Sequence, residues 1–434
     1  MRFARPGRSL DLTPPSQSPD REECVVDVET PNRQTTDVQR LRKAGVSEVE
    51  DPCQTDGRTE NLKESKEPPD LTMNMKPNGE CRMKPIPIES LTRLVEEILL
   101  KCGVSREDAR VTADVLVTTD SWGVFTHGTK LLPGYVRRLL VDGLKPKGKP
   151  FVEREGPGWA LVNGDRSLGM VTGVFSMNMA MEKARINGIS LVTARNSCHF
   201  GAAGYYAYWA TSHGMIGLAM SNDRPSVAAP GSRGPVLGSN PFAFGAPAGE
   251  GSPVVLDIAT AVVAGGKIIQ SLAEGKAIPP GWLIDEEGMP TTDGTLFPYH
   301  AFLMPMAGHK GYGIALMIEI LSALLSGSKV RDKVGSWMHG DLSIPTDHGH
   351  AFFAIDPSLF AGAGVFETRM KDLAAGIKAC PPARGVEAIL LPGEIERKKR
   401  CEAEKQGIPL PEDLRNGLKA AAAAVSMTVE DFDL

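Results

Sequence analysis

The stretch ISLVTARNSCHFGAAG, residues 189–204, decides the fold. Its opening run is short, apolar and rich in β-branched side chains, which reads as a strand over 189–194. A polar turn, Asn196-Ser197-Cys198-His199, follows, and a run of small residues then enters a helix over 202–212. Strand, polar turn and helix in that order is how α/β proteins commonly place reactive groups, at the carboxyl end of a strand. His199 stands in this turn with an ordinary pKa near neutrality, which suits proton transfer. Cys198 beside it suggests a thiol nucleophile. Chain neighbours often point apart, however, and a Cys–His pair must be met in space, so thiol chemistry is discounted.

Outward from this stretch the same alternation continues. Strands are expected over 215–221, 242–246, 254–258, 351–355 and 386–391, and helices over 170–187, 313–326 and 366–378. This mixture predicts an α/β or α+β enzyme core. Upstream, Ile88, Leu91, Leu94, Val95, Ile98 and Leu99 recur at helical spacing and stop before Gly103. Ser105 and Asp108 form a capping box for a second helix reaching about 121, with Asp where Glu is usual. A third helix is expected over 131–141, and two charged helices, 394–406 and 411–424, close the chain.

Composition narrows the class. The 434 residues are 41% hydrophobic and 23% charged, with a net charge of −5, which fits a soluble globular chain and no general nucleic-acid binder. The longest apolar run, 311–325, is interrupted by Glu319 and too short to span a bilayer. Seven cysteines without a C-x-x-C pair favour a reducing compartment, and no secretory signal opens the sequence, so a cytoplasmic location is expected. Residues 1–82 hold one aromatic, Phe3, among many prolines and charges; they read as a disordered extension ahead of an ordered unit over 83–434. The Rossmann G-x-G-x-x-G, the P-loop, the G-x-S-x-G elbow and H-E-x-x-H are all absent.

Four further features bear on chemistry. His127-Gly128 lies at the mouth of a helix, placed for a cleft or simply for a packed turn. Gly238-Ser239-Asn240-Pro241, ahead of Asp257-Ile258-Ala259, supplies turns whose amides hold a ligand or only join strands. Gly308-His309-Lys310-Gly311 opens an apolar helix with glycines, a positive charge and an amino end, three properties that an anionic cofactor would use. His348 and His350, with His339 nearby, share a strand face, but no acidic cluster of metal-ligand spacing accompanies them and no metal is expected.

Together the segments THGTKLLPGYVRRL, NSCHFGAAGYYAYWA, GSNPFAFGAPA, VLDIATAVVAGGKI, IPPGWLIDEEGMPTTD, GHKGYGIALMIEILSALLSG, HAFFAIDP, LPGEIE and GIPL resemble, in order and spacing, the type-2 malate/L-lactate dehydrogenase family of NAD(P)-dependent oxidoreductases. Relatives there include ureidoglycolate, sulfolactate and diketogulonate enzymes. The resemblance implies a non-Rossmann α/β fold whose mixed, largely antiparallel sheet carries the dinucleotide. It implies a helical part over 83–150, a cofactor-binding core over 151–355, and a part over 356–434 that packs back on the helices. It further implies a homodimer in which the partner completes the site.

By the same resemblance His199 is the acid/base histidine, and His127 lies near nicotinamide and substrate, with Thr126 in place of the family's serine. Tyr135, two turns along the same helix, faces the same cleft. Asp257, Ile258, Ala259, Lys310, Gly311 and Gly349 fall on cofactor-contacting stretches, and Asn240 in the family's G-[ST]-N-P turn. Two departures stand out. Leu131 replaces an arginine suited to a substrate carboxylate, leaving Lys130 as the compensating contact. Asp223, in an unusual Ser-Asn-Asp-Arg-Pro run, is expected to favour a free ribose hydroxyl while Arg224 pulls the other way, so NAD and NADP both stay open. The expected reaction is reversible oxidation of a small 2-hydroxy acid such as malate or lactate. The rivals are a cyclic imino-acid reductase and a non-catalytic nucleotide-binding homologue.

Overall fold

Two paired helices open the described chain, which comprises residues 84–248, 251–432 and 434 of a computed structural model. The expected extension over 1–82 lies outside these residues. Helix α1 (Ile88–Lys101) buries Leu91, Leu94, Val95, Ile98 and Leu99, the face its spacing predicts. Helix α2 (Arg106–Ser121) starts on a reciprocal cap: the Asp108 N–H donates to Ser105 Oγ at 3.2 Å, and that hydroxyl donates to the Asp108 carboxylate at 2.6 Å. A tight turn leads into α3 (Leu132–Leu140), with a proline in its first turn where the missing N–H costs nothing.

The core follows. Strands β1 (Phe151–Gly156) and β2 (Trp159–Asn163) precede α4 (Gly169–Asn187), β3 (Ile189–Ser197), α5 (Ala203–Thr211) and β4 (Ile216–Ser221). After β5 (Val227–Ala228) and β6 (Pro235–Leu237) come β7 (Phe242–Ala246), β8 (Val254–Ile258) and α6 (Gly265–Ala273). Then come β9 (Leu283–Asp285), β10 (Pro290–Thr291), β11 (Ala301–Leu303), α7 (His309–Glu319) and β12 (His348–Ile355). Seven strands form one sheet in the order β1-β2-β3-β12-β4-β7-β8. Only β2 and β3 run parallel, joined through α4; the other neighbours are antiparallel. This is the mixed, largely antiparallel sheet that the resemblance implies.

Both faces of the sheet are covered, because strand side chains alternate. Ala219 of β4 and Phe352 of β12 point into the main core with α4 and α5, while their neighbours Met220 and Ala351 meet Ile318 of α7 on the other side. The shorter strands form a second sheet, β10-β9-β11-β5-β6, closed over a small core of Val227, Ile268, Leu283, Ala301 and Leu303.

The chain then continues through α8 (Pro357–Ala361), α9 (Val365–Lys378), α10 (Glu394–Gln406) and α11 (Glu412–Ala423). Helix α10 packs on α2, and α11 on α3. A two-way backbone bridge between Ile86 and Ile408, at 3.0 and 2.7 Å, ties the two ends of the described chain together. Residues 386–391, expected as a strand, pair with no sheet and lie mostly exposed: an apolar run becomes a strand only where an edge awaits it. The helix expected over 313–326 starts earlier, at His309, and relaxes into a π turn over Ile320–Leu324.

Candidate active site

The site forms where α3 passes the carboxyl end of β3. After Ser197 the chain turns through His199 and Gly201 before α5 begins. Nδ1 of His199 meets the Tyr135 hydroxyl at 2.8 Å and receives the Gly201 N–H at 3.3 Å. Nε2 makes no hydrogen bond among the described residues, so it is the nitrogen left for chemistry. Burial, then the neighbouring His127, lowers the His199 pKa to about 3, opposed by the nearby charge of Asp223.

His127 lies 5.9 Å from His199 between ring centres, nearly parallel. A buried clamp places it. Asp120 in α2 accepts the Thr129 N–H at 3.1 Å and the Thr129 hydroxyl at 2.5 Å, which draws the turn over Phe125–His127 against the helix. Gly128 is required here, since a Cβ would sit 1.9 Å from Asp120 Oδ1. Burial raises the Asp120 carboxyl to about 7 in spite of the Thr129 bonds. His127 is made less basic by burial, again opposed by Asp223.

Asp223 closes the group. Its carboxylate lies 3.3 Å from Nε2 of the buried His348. Burial raises its pKa, but the bond and charge of His348, followed by the charge of His199, outweigh that and keep it ionised. The residue expected at a ribose therefore stands among the imidazoles. His350 is a packing residue: it bridges Ser221 and Ser197 at 2.9 Å each and stacks on Phe200.

Several expected contacts are elsewhere. Lys130 reaches away to Asp413 of α11 at 2.7 Å, half exposed, so it does not supply the missing arginine's charge. Asn240 is fully buried; it accepts the Asp223 N–H and donates to Ala315 O and Glu319, a pin beneath the site with no face left for a ligand. Gly349 donates to Asn222 and lies so close to Ser322 O that a Cβ would be 2.3 Å away. A Cβ on Gly311 would be 2.0 Å from Met306 O, so that glycine also serves packing. Cys198 is buried and its thiol raised by that burial, which removes it as a nucleophile.

Asp257 ends β8 with Ile258 and Ala259, its carboxylate accepting the Gly204 N–H at the start of α5. Lys310 is exposed at the amino end of α7, an end that no side chain caps; Gly308 before it has open space where a Cβ would stand. The N–H groups of Lys310, Gly311 and Tyr312 are given to the Ala307, Met306 and Gly308 carbonyls, so what a dinucleotide pyrophosphate would meet here is the exposed lysine, the positive end of the helix and an accessible glycine.

Two groups escaped the sequence reading. Glu319 is buried at the end of α7, tied to Asn222, Asn240 and the Arg331 N–H; a lone carboxylate inside an apolar run was its signal. Trp337 stacks on His199 at 4.4 Å and on Tyr135 at 5.6 Å, from a polar loop that carries no motif.

Partly buried imidazoles on a mixed sheet, with an ionised carboxylate and a tyrosine beside them, form a group of side chains able to exchange a proton in an α/β protein. The chain belongs to the malate/L-lactate dehydrogenase family, whose profile matches residues 86–419. It is 37% identical over 344 residues to the L-sulfolactate dehydrogenase of Methanocaldococcus jannaschii, covering 79% of this chain and 98% of that one. The solved structure of the sulfolactate dehydrogenase from that organism superposes with a TM-score of 0.75 at 36% identity, over 80% of this chain and 99% of the other. A malate dehydrogenase of Pyrococcus horikoshii is 38% identical over 352 residues, 79% of this chain and 96% of the relative. The ureidoglycolate dehydrogenase (NAD(+)) of Escherichia coli K12 is 33% identical over 327 residues, 75% and 92% respectively. These relatives are dehydrogenases of hydroxy acids. Among the described residues no helix is long and apolar enough to cross a membrane.

Proposed function

We propose that the chain reversibly oxidises a small 2-hydroxy acid to the 2-oxo acid, with NAD or NADP as the redox partner. The observation that carries this reading is the pair of groups converging on Nδ1 of His199, which leaves Nε2 for the substrate oxygen. The dinucleotide would be held at the amino end of α7 by Lys310 and the positive end of the helix, with Asp257, Ile258 and Ala259 on the stretch that the Met306 N–H ties to this end through Thr260 O at 2.8 Å. Bound there, it supplies hydride chemistry that no side chain can perform.

The protein moves the proton. To act in the oxidation direction His199 must carry its ring proton on Nδ1, donated to the Tyr135 oxygen in place of the bond received from the Gly201 N–H; Nε2 then takes the hydroxyl proton. The tyrosine oxygen accepts that Nδ1–H in the neutral ring and in the imidazolium alike, while its own hydroxyl donates only to the tautomer whose proton sits on Nε2. In the reverse direction His199 must first become cationic. Burial resists this, whereas the ionised Asp223 and an arriving substrate carboxylate favour it, so the proton enters together with the acid it will reduce. His127, 5.9 Å from His199 between ring centres, would position that carboxylate.

A homodimer belongs to this reading. Leu316, Met317, Ile320, Leu324 and Leu325 stand exposed along α7 and its π turn, more apolar surface than a lone helix face keeps in water. The test of the activity is loss of reduced-nicotinamide absorbance across a panel of 2-oxo acids and a cyclic imine, with NADH and NADPH in turn. Turnover of 2-oxo acids is expected. Turnover of the imine alone, or cofactor binding without turnover, would replace this reading.

A further inference from the structure

Residues 335–346, between α7 and β12, lie outside the motifs and yet touch the reacting group. The loop is closed at its neck, where the Gly335 N–H donates to Thr346 O at 2.9 Å, and Thr346 Oγ1 is fastened to Ser197 O at 3.2 Å. Arg138 of α3, fully buried, reaches Ser336 O at 3.1 Å and Ile344 O, so one guanidinium brackets both arms of the loop. Helix α3 makes room for it at Gly134, where a Cβ would be 3.1 Å from the Trp337 ring, and just beyond its end Gly143 passes closer still beneath Leu342, a Cβ there being 1.9 Å from Leu342 O. The result is one aromatic plate, Trp337, held 4.4 Å from the His199 ring centre at 22° and 5.6 Å from that of Tyr135 at 24°.

One carboxylate, Asp223, stands among the imidazoles that this plate covers, with the exposed Arg224 as its chain neighbour. Asp223 is ionised beside the imidazoles. Position 131 is a buried leucine, Lys130 is bound to Asp413, and Arg138 is occupied with loop carbonyls. A substrate's 1-carboxylate has His199 and His127 to meet. A second anionic group would meet Asp223 and an indole face, at the repulsive cost of like charges in a partly desolvated site.

We propose that Trp337 is the specificity wall of this site, selecting 2-oxo monocarboxylates with an uncharged apolar group beyond C2 over acids that carry a second anion. The inference rests on the hydroxy-acid reading above. Its test compares kcat/KM for 2-oxobutyrate with that for oxaloacetate and 3-sulfopyruvate, using the full chain and its preferred reduced cofactor. The wild type should favour 2-oxobutyrate by roughly 10-fold or more, the scale of apolar pocket discrimination. Trp337→Ala should raise KM for 2-oxobutyrate by a similar factor with a smaller change in kcat, and Trp337→Phe should retain the preference. A preference for either dianionic acid, or a KM unmoved in Trp337→Ala, overturns the proposal while leaving the hydroxy-acid reading intact. Turnover of none of these acids sinks both. The stack has its own readout: the tryptophan emission lost on making Trp337→Phe should be larger in a His199→Ala background, and an equal loss in both backgrounds contradicts the contact.

Discussion

At the scale of single residues, the proposed chemistry depends on which nitrogen of His199 is left open. Tyr135 engages Nδ1 from α3, so Tyr135→Phe removes one of two partners of Nδ1 while keeping the ring stack with Trp337. The expected result is a fall in kcat of about 10-fold, the worth of one hydrogen bond to a group that becomes charged, with little change in cofactor affinity. Steady-state kinetics with cofactor titrated separately check this. That His127, Tyr135 and His199 lie together could be anticipated because each stands in a local pattern: a turn before a helix, two turns further along, and the end of a strand. Asp223 was misread, since its partner His348 is 125 positions away and pairing across a sheet leaves no local trace. Lys130 was misread for the same reason, its carboxylate lying on α11.

The element that positions His127 is the α2–turn–α3 unit, and its clamp is a buried acid. The Asp120 carboxyl is about 7 in the folded chain against 3.8 ordinarily, so its contribution is fully present below about pH 4 and is lost as pH rises through about 7. Asp120→Asn keeps an acceptor for Thr129 without the ionisation. The stability of wild type minus that of the variant should therefore fall by about 1.4 kcal/mol per pH unit between those limits. Thermal or urea unfolding of both proteins across that range measures it, and a constant difference would contradict the assignment. His199, His127 and His350, all lowered by burial, act oppositely: they lose stability as pH falls below about 6.5, equally in both proteins. A long periodic element such as α1 was readable from spacing. The second sheet was not, because strands of two or three residues carry no period, and a π turn at the end of α7 has no composition signal.

For the whole molecule, the sequence order hides a spatial closure: α10 and α11 return to α2 and α3, and the 7-stranded sheet is completed by β12 inserted between β3 and β4. The resemblance implied the return of the last helices to the first, whereas the place of β12 between β3 and β4 was not readable, since non-local strand order follows from packing and not from any local run. The apolar faces of α7 and α9 remain uncovered within one chain; Leu359, Phe360, Val365 and Leu373 add to the exposed set. Analytical ultracentrifugation at micromolar concentration should give twice the chain mass, and Ile320→Glu should shift the protein toward half that value. A monomer in the wild type would contradict the dimer. The central claim is narrower. A single-turnover measurement of reduced-nicotinamide absorbance, with enzyme in excess over cofactor and a saturating 2-oxo acid, should be slowed roughly 100-fold or more in folded His199→Ala. A rate within a few-fold of wild type would remove the imidazole from the proton transfer on which the account is built.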